Sequence, residues 1–400
     1  MPSLLALYRR KIYSAVAAAG LVVCAFAFSS VSASAATWTI QTTPNAPEAE
    51  HSALYDISCG AETVNSCLAV GKQTASGGKS GPYAQEWKEG SWANHTVPTP
   101  AEATAGELQS VHCLGEALCK AAGSYTSGGV TRSLIETRSF FGVWSIPETP
   151  NPAGASETAL KGISCLQASA CAAVGYSVDS KTSKKTAFVL GLSSEAKWEI
   201  QKMPEPEGAV SSELHGVDCP EWKFCMAVGT YTTSGGSIWA MSATWNGTSW
   251  TLKTVPKPSG SPQRTVLLDV ACSESGECTG VGGYRNSSGV QLSFVERWNG
   301  VEWSHESSPN PVGSTNTVFQ NVSCTAWTLC VAVGDWNNGK VWQPMAQEWN
   351  GSAWVLDTTP TPTGATFSLL EGVGCDEANC RSVGWYTDSG GKNKTLSESR

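Results

Sequence analysis

Apolar positions recur along this chain in seven copies of one pattern. Each copy places an apolar residue five positions before a cysteine and another two before it: Leu54/Ile57, Leu108/Val111, Leu160/Ile163, Leu214/Val217, Leu267/Val270, Phe319/Val322 and Leu370/Val373. This predicts a first strand. After a second cysteine comes a short apolar stretch ending in glycine, as in Cys225-Met226-Ala227-Val228-Gly229, with Gly71, Gly123, Gly175, Gly282, Gly334 and Gly384 equivalent. It predicts a second strand whose glycine marks a bulge or a close backbone approach. A polar loop then leads to an alternating third strand, such as Met241-Ser242-Ala243-Thr244-Trp245. In three copies Asn246-Gly247, Asn299-Gly300 and Asn350-Gly351 close this strand into a hairpin, because both residue types tolerate positive φ. The Asn-X-Ser/Thr matches at Asn246 and Asn350 are read as this turn, not as glycosylation. A fourth strand opens on tryptophan and is ended by a proline six positions on: Trp92/Pro98, Trp144/Pro150, Trp198/Pro204, Trp250/Pro256, Trp303/Pro309 and Trp354/Pro360.

The first cysteines recur every 51 to 54 residues, a period that signals a solenoid or a propeller. Four antiparallel strands in about fifty residues make a unit the size of one propeller blade. Phase separates the two architectures. Trp38 and Pro44 form a seventh copy of the fourth strand placed before the first cysteine pair, while the last copy stops at its third strand, Leu396 to Arg400. A closed ring uses that displacement, because the N-terminal strand completes the last sheet and hides the end faces of the array. The expected fold is all-β: a single seven-bladed β-propeller over Thr37 to Arg400, with four-stranded antiparallel blades.

Cysteine usage sets the compartment. Met1 to Ala36 carry a basic Arg9-Arg10-Lys11 cluster, an apolar run from Ala15 to Phe28 and the small-residue sequence Ala33-Ser34-Ala35-Ala36, the layout of a secretory signal peptide. The run is shorter than the ~20 residues needed to cross hydrocarbon. Val23 before Cys24 is not the small residue of a lipid-anchor box, so a secreted chain is expected. Beyond Cys24, fourteen cysteines form close pairs: Cys59/Cys67, Cys113/Cys119, Cys165/Cys171, Cys219/Cys225, Cys272/Cys278, Cys324/Cys330 and Cys375/Cys380. In an exported chain these read as seven local disulfides and not as zinc ligands. The net charge of −8, with 15% charged residues, argues against nucleic acid as a partner.

With these residues in hand, the chain resembles seven-bladed β-propellers and a group of uncharacterised exported bacterial repeat proteins that carry Ser-Cys, Cys-x-Ala-Val-Gly and Trp-Asn-Gly-x-x-Trp in each unit. Kelch repeats are a more distant likeness. The resemblance implies a fold and no activity.

Chemistry is sparse at this level. His51, His95, His112, His215 and His305 occupy no equivalent positions and read as bystanders. No metal or cofactor motif is found. Glu136, Glu296 and Glu398 share one third-strand position with Gln85 and Gln347, which is read as structural hydrogen bonding. Two residues past the second-strand glycine stand Tyr125, Tyr231, Tyr284, Trp336 and Tyr386, with Trp239 and Trp342 in the loops beyond. These seven aromatics either plug gaps between blades or line a ligand site on the loop-rich face. The function expected is a monomeric, exported, non-catalytic binding or scaffold module that meets a glycan or a protein surface. The alternative is a hydrolase or lyase acting on extracellular polysaccharide. Carboxylates of perturbed pKa in the central pocket would favour the enzyme, and an aromatic, uncharged pocket would favour binding.

Overall fold

Alternation of apolar and polar residues becomes strand throughout, and among the described residues no helix forms. The computed structural model describes residues 35–60, 66–115, 118–193, 195–260, 262–376 and 379–400. All but the last two residues of the expected leader lie outside that set. The first repeat pairs Ala49–Cys59, Ser66–Ala75, Ser80–Lys88 and Ser91–His95 in chain order, antiparallel throughout. Repeats two to six follow the same order, from Ala105–Leu114 to Trp354–Leu356. Neighbouring repeats also touch through single parallel bridges, Glu157 to Thr131, Ile238 to Arg264 and Gln291 to Asn316.

The glycine of each second strand sits inside the strand and does not end it. Ser66–Ala75 runs on past Gly71, opposite a register shift in the first strand between Leu54 and Asp56. A Cβ at Gly71 would lie 2.0 Å from the carbonyl oxygen of Ala53. The same approach recurs at the other six glycines, so the bulge belongs to the first strand and the glycine makes room for it.

Seven disulfides tie each first strand to the second strand of its own repeat. They join Cys59 to Cys67, Cys113 to Cys119, Cys165 to Cys171 and Cys219 to Cys225. Cys272 to Cys278, Cys324 to Cys330 and Cys375 to Cys380 complete the set. A bridge across so short a loop stabilises by roughly 2 kcal/mol in the chain-entropy account.

The apolar cores lie between repeats. Leu68, Val70 and Ala84 of the first repeat pack on Leu108, Val111 and Leu134 of the second. Val383 of the seventh packs on Leu54, Ile57 and Tyr83 of the first. Burying one such side chain contributes about 1.5 to 3 kcal/mol, so a repeat alone would leave two faces uncovered. Tryptophans brace the hairpin of third and fourth strands, with ring centroids 5.8 Å apart for Trp87 and Trp92 and 5.7 Å apart for Trp298 and Trp303.

The seventh sheet consists of Phe367–Asp376, Asn379–Thr387, Asn393–Ser399 and Thr39–Gln41, with Thr39 opposite Ser399 and Gln41 opposite Ser397. Trp38 does not open this strand as its equivalents do. Its backbone N–H donates to the carbonyl of Thr358 (2.9 Å) and its indole Nε1 donates to Asp357 (3.0 Å), which also pairs with Arg400 (2.9 Å). The N-terminal segment thus bonds the sixth repeat as well as the seventh. Further on, Tyr83 of the first repeat donates to the carbonyl of Pro44, and Asn393 of the seventh donates its N–H to His51 Nδ1. Deleting Thr37 to Pro47 should therefore lower the melting temperature far more than deleting an equal length of loop, and should promote association through the bared edge of Asn393–Ser399. Melting and light scattering of the trimmed protein check this.

Candidate functional site: a polar channel lined by the first strands

Within its own repeat each first strand has a neighbouring strand on one side only, so apart from the single parallel bridges the backbone groups on its outer side have no partner in that repeat. First strands of all seven repeats line one channel of about 610 Å³. Side chains of one repeat cap backbone N–H groups of the next across its wall. Asp56 accepts from Val111 (2.9 Å) and from the Ser110 hydroxyl (2.8 Å), and Ser110 in turn accepts from Ile163 (3.3 Å). Ser164 accepts from Cys219 (3.1 Å), Asp218 from Cys272 (2.7 Å), Asp269 from Val322 (3.0 Å) and Asn321 from Val373 (2.9 Å). The seventh repeat has glycine at both capping positions, Gly372 and Gly374, and meets the first by close approach: a Cβ on Gly372 would lie 2.7 Å from Cα of Asp56.

The disulfides divide across this wall. Cys59, Cys324 and Cys375, all on first strands, line the channel. The second-strand cysteines do not: Cys67, Cys119, Cys171, Cys225, Cys278, Cys330 and Cys380 are buried in the cores between repeats, as are first-strand Cys113, Cys165 and Cys219. The bridges therefore anchor the wall from behind and present no thiol to a ligand.

Electrostatics follow from the enclosure of the channel. Burial lifts Asp56 to about 6 against the pull of its hydrogen bonds from Val111, Ser110 and Ile57. Asp218 and Asp269 are raised for the same first reason, Asp269 further by the charges of Asp56 and Asp218. Burial depresses His112, and brings His215 down to about 4. Both histidines, read from the sequence as bystanders, line the channel.

Charged and aromatic groups gather where the bulged residues of the first strands project. Lys185 pairs with Glu213 (3.0 Å) and lies 4.1 Å from the ring centroid of Tyr176, whose hydroxyl donates to Glu157 (2.5 Å). Elsewhere on the wall, Gln320 donates to Asp335 (3.0 Å) and the Trp385 indole donates to Glu371 (3.3 Å). Burial raises Glu371 to about 7, with repulsion from Asp335 second, and raises Asp335 to about 6.

None of the seven aromatics singled out from the sequence lines this channel. Tyr125, Tyr231, Tyr284, Trp336 and Tyr386, two past the glycine, are half-buried against the cores between repeats. Trp239 is covered by the Lys257 ammonium at 3.3 Å, and Trp342 lies 6.2 Å from Phe367. The residue one past the glycine points to the opposite side of its sheet: Tyr176 lines the channel, and Asp335 and Trp385 hydrogen-bond residues that do. Polar residues at three, four and one before the first cysteine carry the site. Their residue types differ from repeat to repeat, so no motif announces them.

The shared third-strand position is fully enclosed. Gln347 donates to the carbonyl of Pro309 (2.6 Å) and Gln85 to that of Pro44, each proline ending the fourth strand of the preceding repeat. Glu296 is paired with His305 at 3.1 Å. Glu136 and Glu398 have neither oxygen bonded within the protein, and burial raises both to about 8.

No protein-family model matches the chain, and no curated protein matches it. Among solved structures, a protein of unknown function from Dyadobacter fermentans is similar over 92% of this chain and 98% of its own, at 9% identity and a TM-score of 0.48. The SapL1 lectin in complex with alpha methyl fucoside is similar over 79% of this chain and 98% of its own, at 14% identity and a TM-score of 0.45. A thermostable family-43 glycoside hydrolase is similar over 59% of this chain and 88% of its own, at 9% identity and a TM-score of 0.33. At such scores none of these likenesses fixes what this chain does.

The enclosed glutamates set a pH dependence with a definite sign. The folded chain holds protons on Glu136 and Glu398 up to about 8, whereas an unfolded glutamate releases its proton near about 4.3. Stability from this source is full below the unfolded value and is lost as pH rises through the folded one. Replacing both with glutamine, the residue found at the equivalent positions 85 and 347, should flatten that decline and raise the melting temperature at pH 8.5 by roughly 2 °C or more. Calorimetry from pH 5 to 9 checks it; an unchanged slope would contradict the account of neutral buried acids.

Proposed function

We propose that this chain is an exported, monomeric binding module, a seven-bladed β-propeller closed by its N-terminal strand, which meets a glycan or a protein surface at the loop-rich mouth of its channel. The ring reading is supported by the channel lined from all seven repeats and by the packing of the seventh repeat on the first. Export is supported by the leader motif, and the seven disulfides fit an extracellular compartment. No helix among the described residues is long and apolar enough to cross a membrane.

One observation carries the choice of binding over catalysis: the channel carboxylates are engaged. Asp56, Asp218 and Asp269 each accept backbone N–H groups that join neighbouring repeats. The channel is nonetheless charged and not the uncharged pocket that would favour binding outright. Glu371, held at about 7 beside Asp335, gives a second reading as a polysaccharide hydrolase. Asp335 is only 4% exposed and accepts from Gln320, which leaves it poorly placed to meet a substrate. A screen of the mature protein against glycan and cell-wall panels should give retention without product. Products that disappear with Glu371→Gln would establish the enzyme instead.

A further inference from the structure

A stripe of three aromatic rings crosses the seam between the sixth and seventh repeats. Trp342 opens the third strand of the sixth repeat, Phe367 opens the first strand of the seventh, and Trp385 stands in the second strand of the seventh. Ring centroids are 6.2 Å apart from Trp342 to Phe367 and 4.8 Å from Phe367 to Trp385, the latter pair stacked. All three are half-buried, so each leaves part of its surface to solvent. The stripe begins beside the Asn337-Asn338-Gly339-Lys340 loop and ends at Glu371, to which Trp385 donates and which lines the channel together with Gln320.

We propose that Trp342, Phe367 and Trp385 form a subsite for a neutral oligosaccharide whose terminal sugar reaches Glu371 and Gln320 at the channel mouth. Sugar rings present C–H faces that pack on aromatic rings, and hydroxyl groups that bond carboxylate and amide oxygens. A row of rings ending in such acceptors offers both surfaces in sequence. Glu371, raised to about 7 by burial, meets a sugar hydroxyl as a neutral acid or as a carboxylate, and wherever it is ionised it disfavours an acidic chain, so the mouth favours neutral sugars over polyuronates. This inference rests on the binding reading and narrows it to one ligand class and one seam.

The test is calorimetric titration of the mature protein with cellohexaose, N-acetylchitohexaose and polygalacturonate, repeated on Trp385→Ala, Trp385→Phe, Trp342→Ala and, as a control on an exposed hairpin, Phe141→Ser. At least one neutral oligosaccharide should bind. Its affinity should fall about tenfold to thirtyfold in both alanine variants, fall less in Trp385→Phe and hold in the control. Circular dichroism confirms folding, and Trp385→Phe keeps the test decisive if the alanine variant fails to fold. Binding that survives folded Trp342→Ala and Trp385→Phe at full strength removes the subsite while leaving the binding reading intact. Preference for polygalacturonate, or no neutral ligand at all, also overturns the subsite. Appearance of shortened products overturns the binding reading itself.

A separate observation concerns the N-terminus. The backbone nitrogen of Ala36 lies 3.0 Å from Asp357 Oδ1, the carboxylate that also holds Trp38 and Arg400. Ala35 is exposed, and Ala33-Ser34-Ala35 is the small-x-small sequence that leader-cleaving proteases read. We infer that the mature chain starts at Ala36, one residue earlier than the leader boundary expected from the sequence, and that its new ammonium pairs with Asp357. Water adds across the Ala35–Ala36 amide, leaving a carboxylate on Ala35 and a charged amine on Ala36 in place of a neutral N–H. N-terminal sequencing of the exported protein should read Ala-Thr-Trp. Nα-acetylation of that protein, which removes the charge and spares Asp357, should lower its melting temperature by roughly 1 °C or more. Another first residue, or identical melting of free and acetylated protein, overturns the inference.

Discussion

Everything else in this molecule depends on how the first strand of one repeat satisfies the exposed backbone of the next. Within a repeat the first strand has a neighbour on one side only, so its inner side carries N–H groups that the repeat's own strands cannot pair. Side chains three or one before the first cysteine supply the acceptors. Asp56, Ser110, Ser164, Asp218, Asp269 and Asn321 serve the six contacts from the first repeat to the seventh. An unmet buried N–H costs roughly 1 to 3 kcal/mol, and these bonds also fix the relative position of neighbouring sheets.

That solution shapes the electrostatics. Carboxylates that cap backbone must be buried to reach it, and burial raises Asp56, Asp218 and Asp269 even though several donors favour their charged forms. A cluster of raised carboxyls in a cavity usually marks catalysis. Here Asp56, Asp218 and Asp269 also join neighbouring repeats, and Glu371, Gln320 and the Lys185–Glu213 pair share the channel with them. The seventh repeat departs from the rest, with Gly372 and Gly374 lying directly against Asp56 and Cys59 where each other repeat keeps at least one polar side chain.

Much of this was legible in the sequence because a repeat states its own rules seven times. The cysteine spacing, the second-strand glycine, the paired tryptophans and the displaced copy at Trp38 and Pro44 each name a strand or a pairing, and strand pairing within a repeat is local. The pairing of Thr39–Gln41 with Asn393–Ser399 was legible too, since a missing strand at one end and a spare strand at the other have one economical match.

The site was not legible, because it is made by residues of all seven repeats that meet only in space. Two adjacent residues of the second strand, Tyr386 and Trp385, illustrate the difficulty. The period of two sends one to the core between repeats and the other toward the channel, and the sequence does not say which face is which. The sequence by itself determined the strands, the local disulfides and the order of the repeats, all of which depend on neighbours along the chain. Only the tertiary structure decided that Asp56 meets Val111, that Glu371 borders the channel and that Trp342, Phe367 and Trp385 align, because those contacts depend on how one twisted sheet seats against the next.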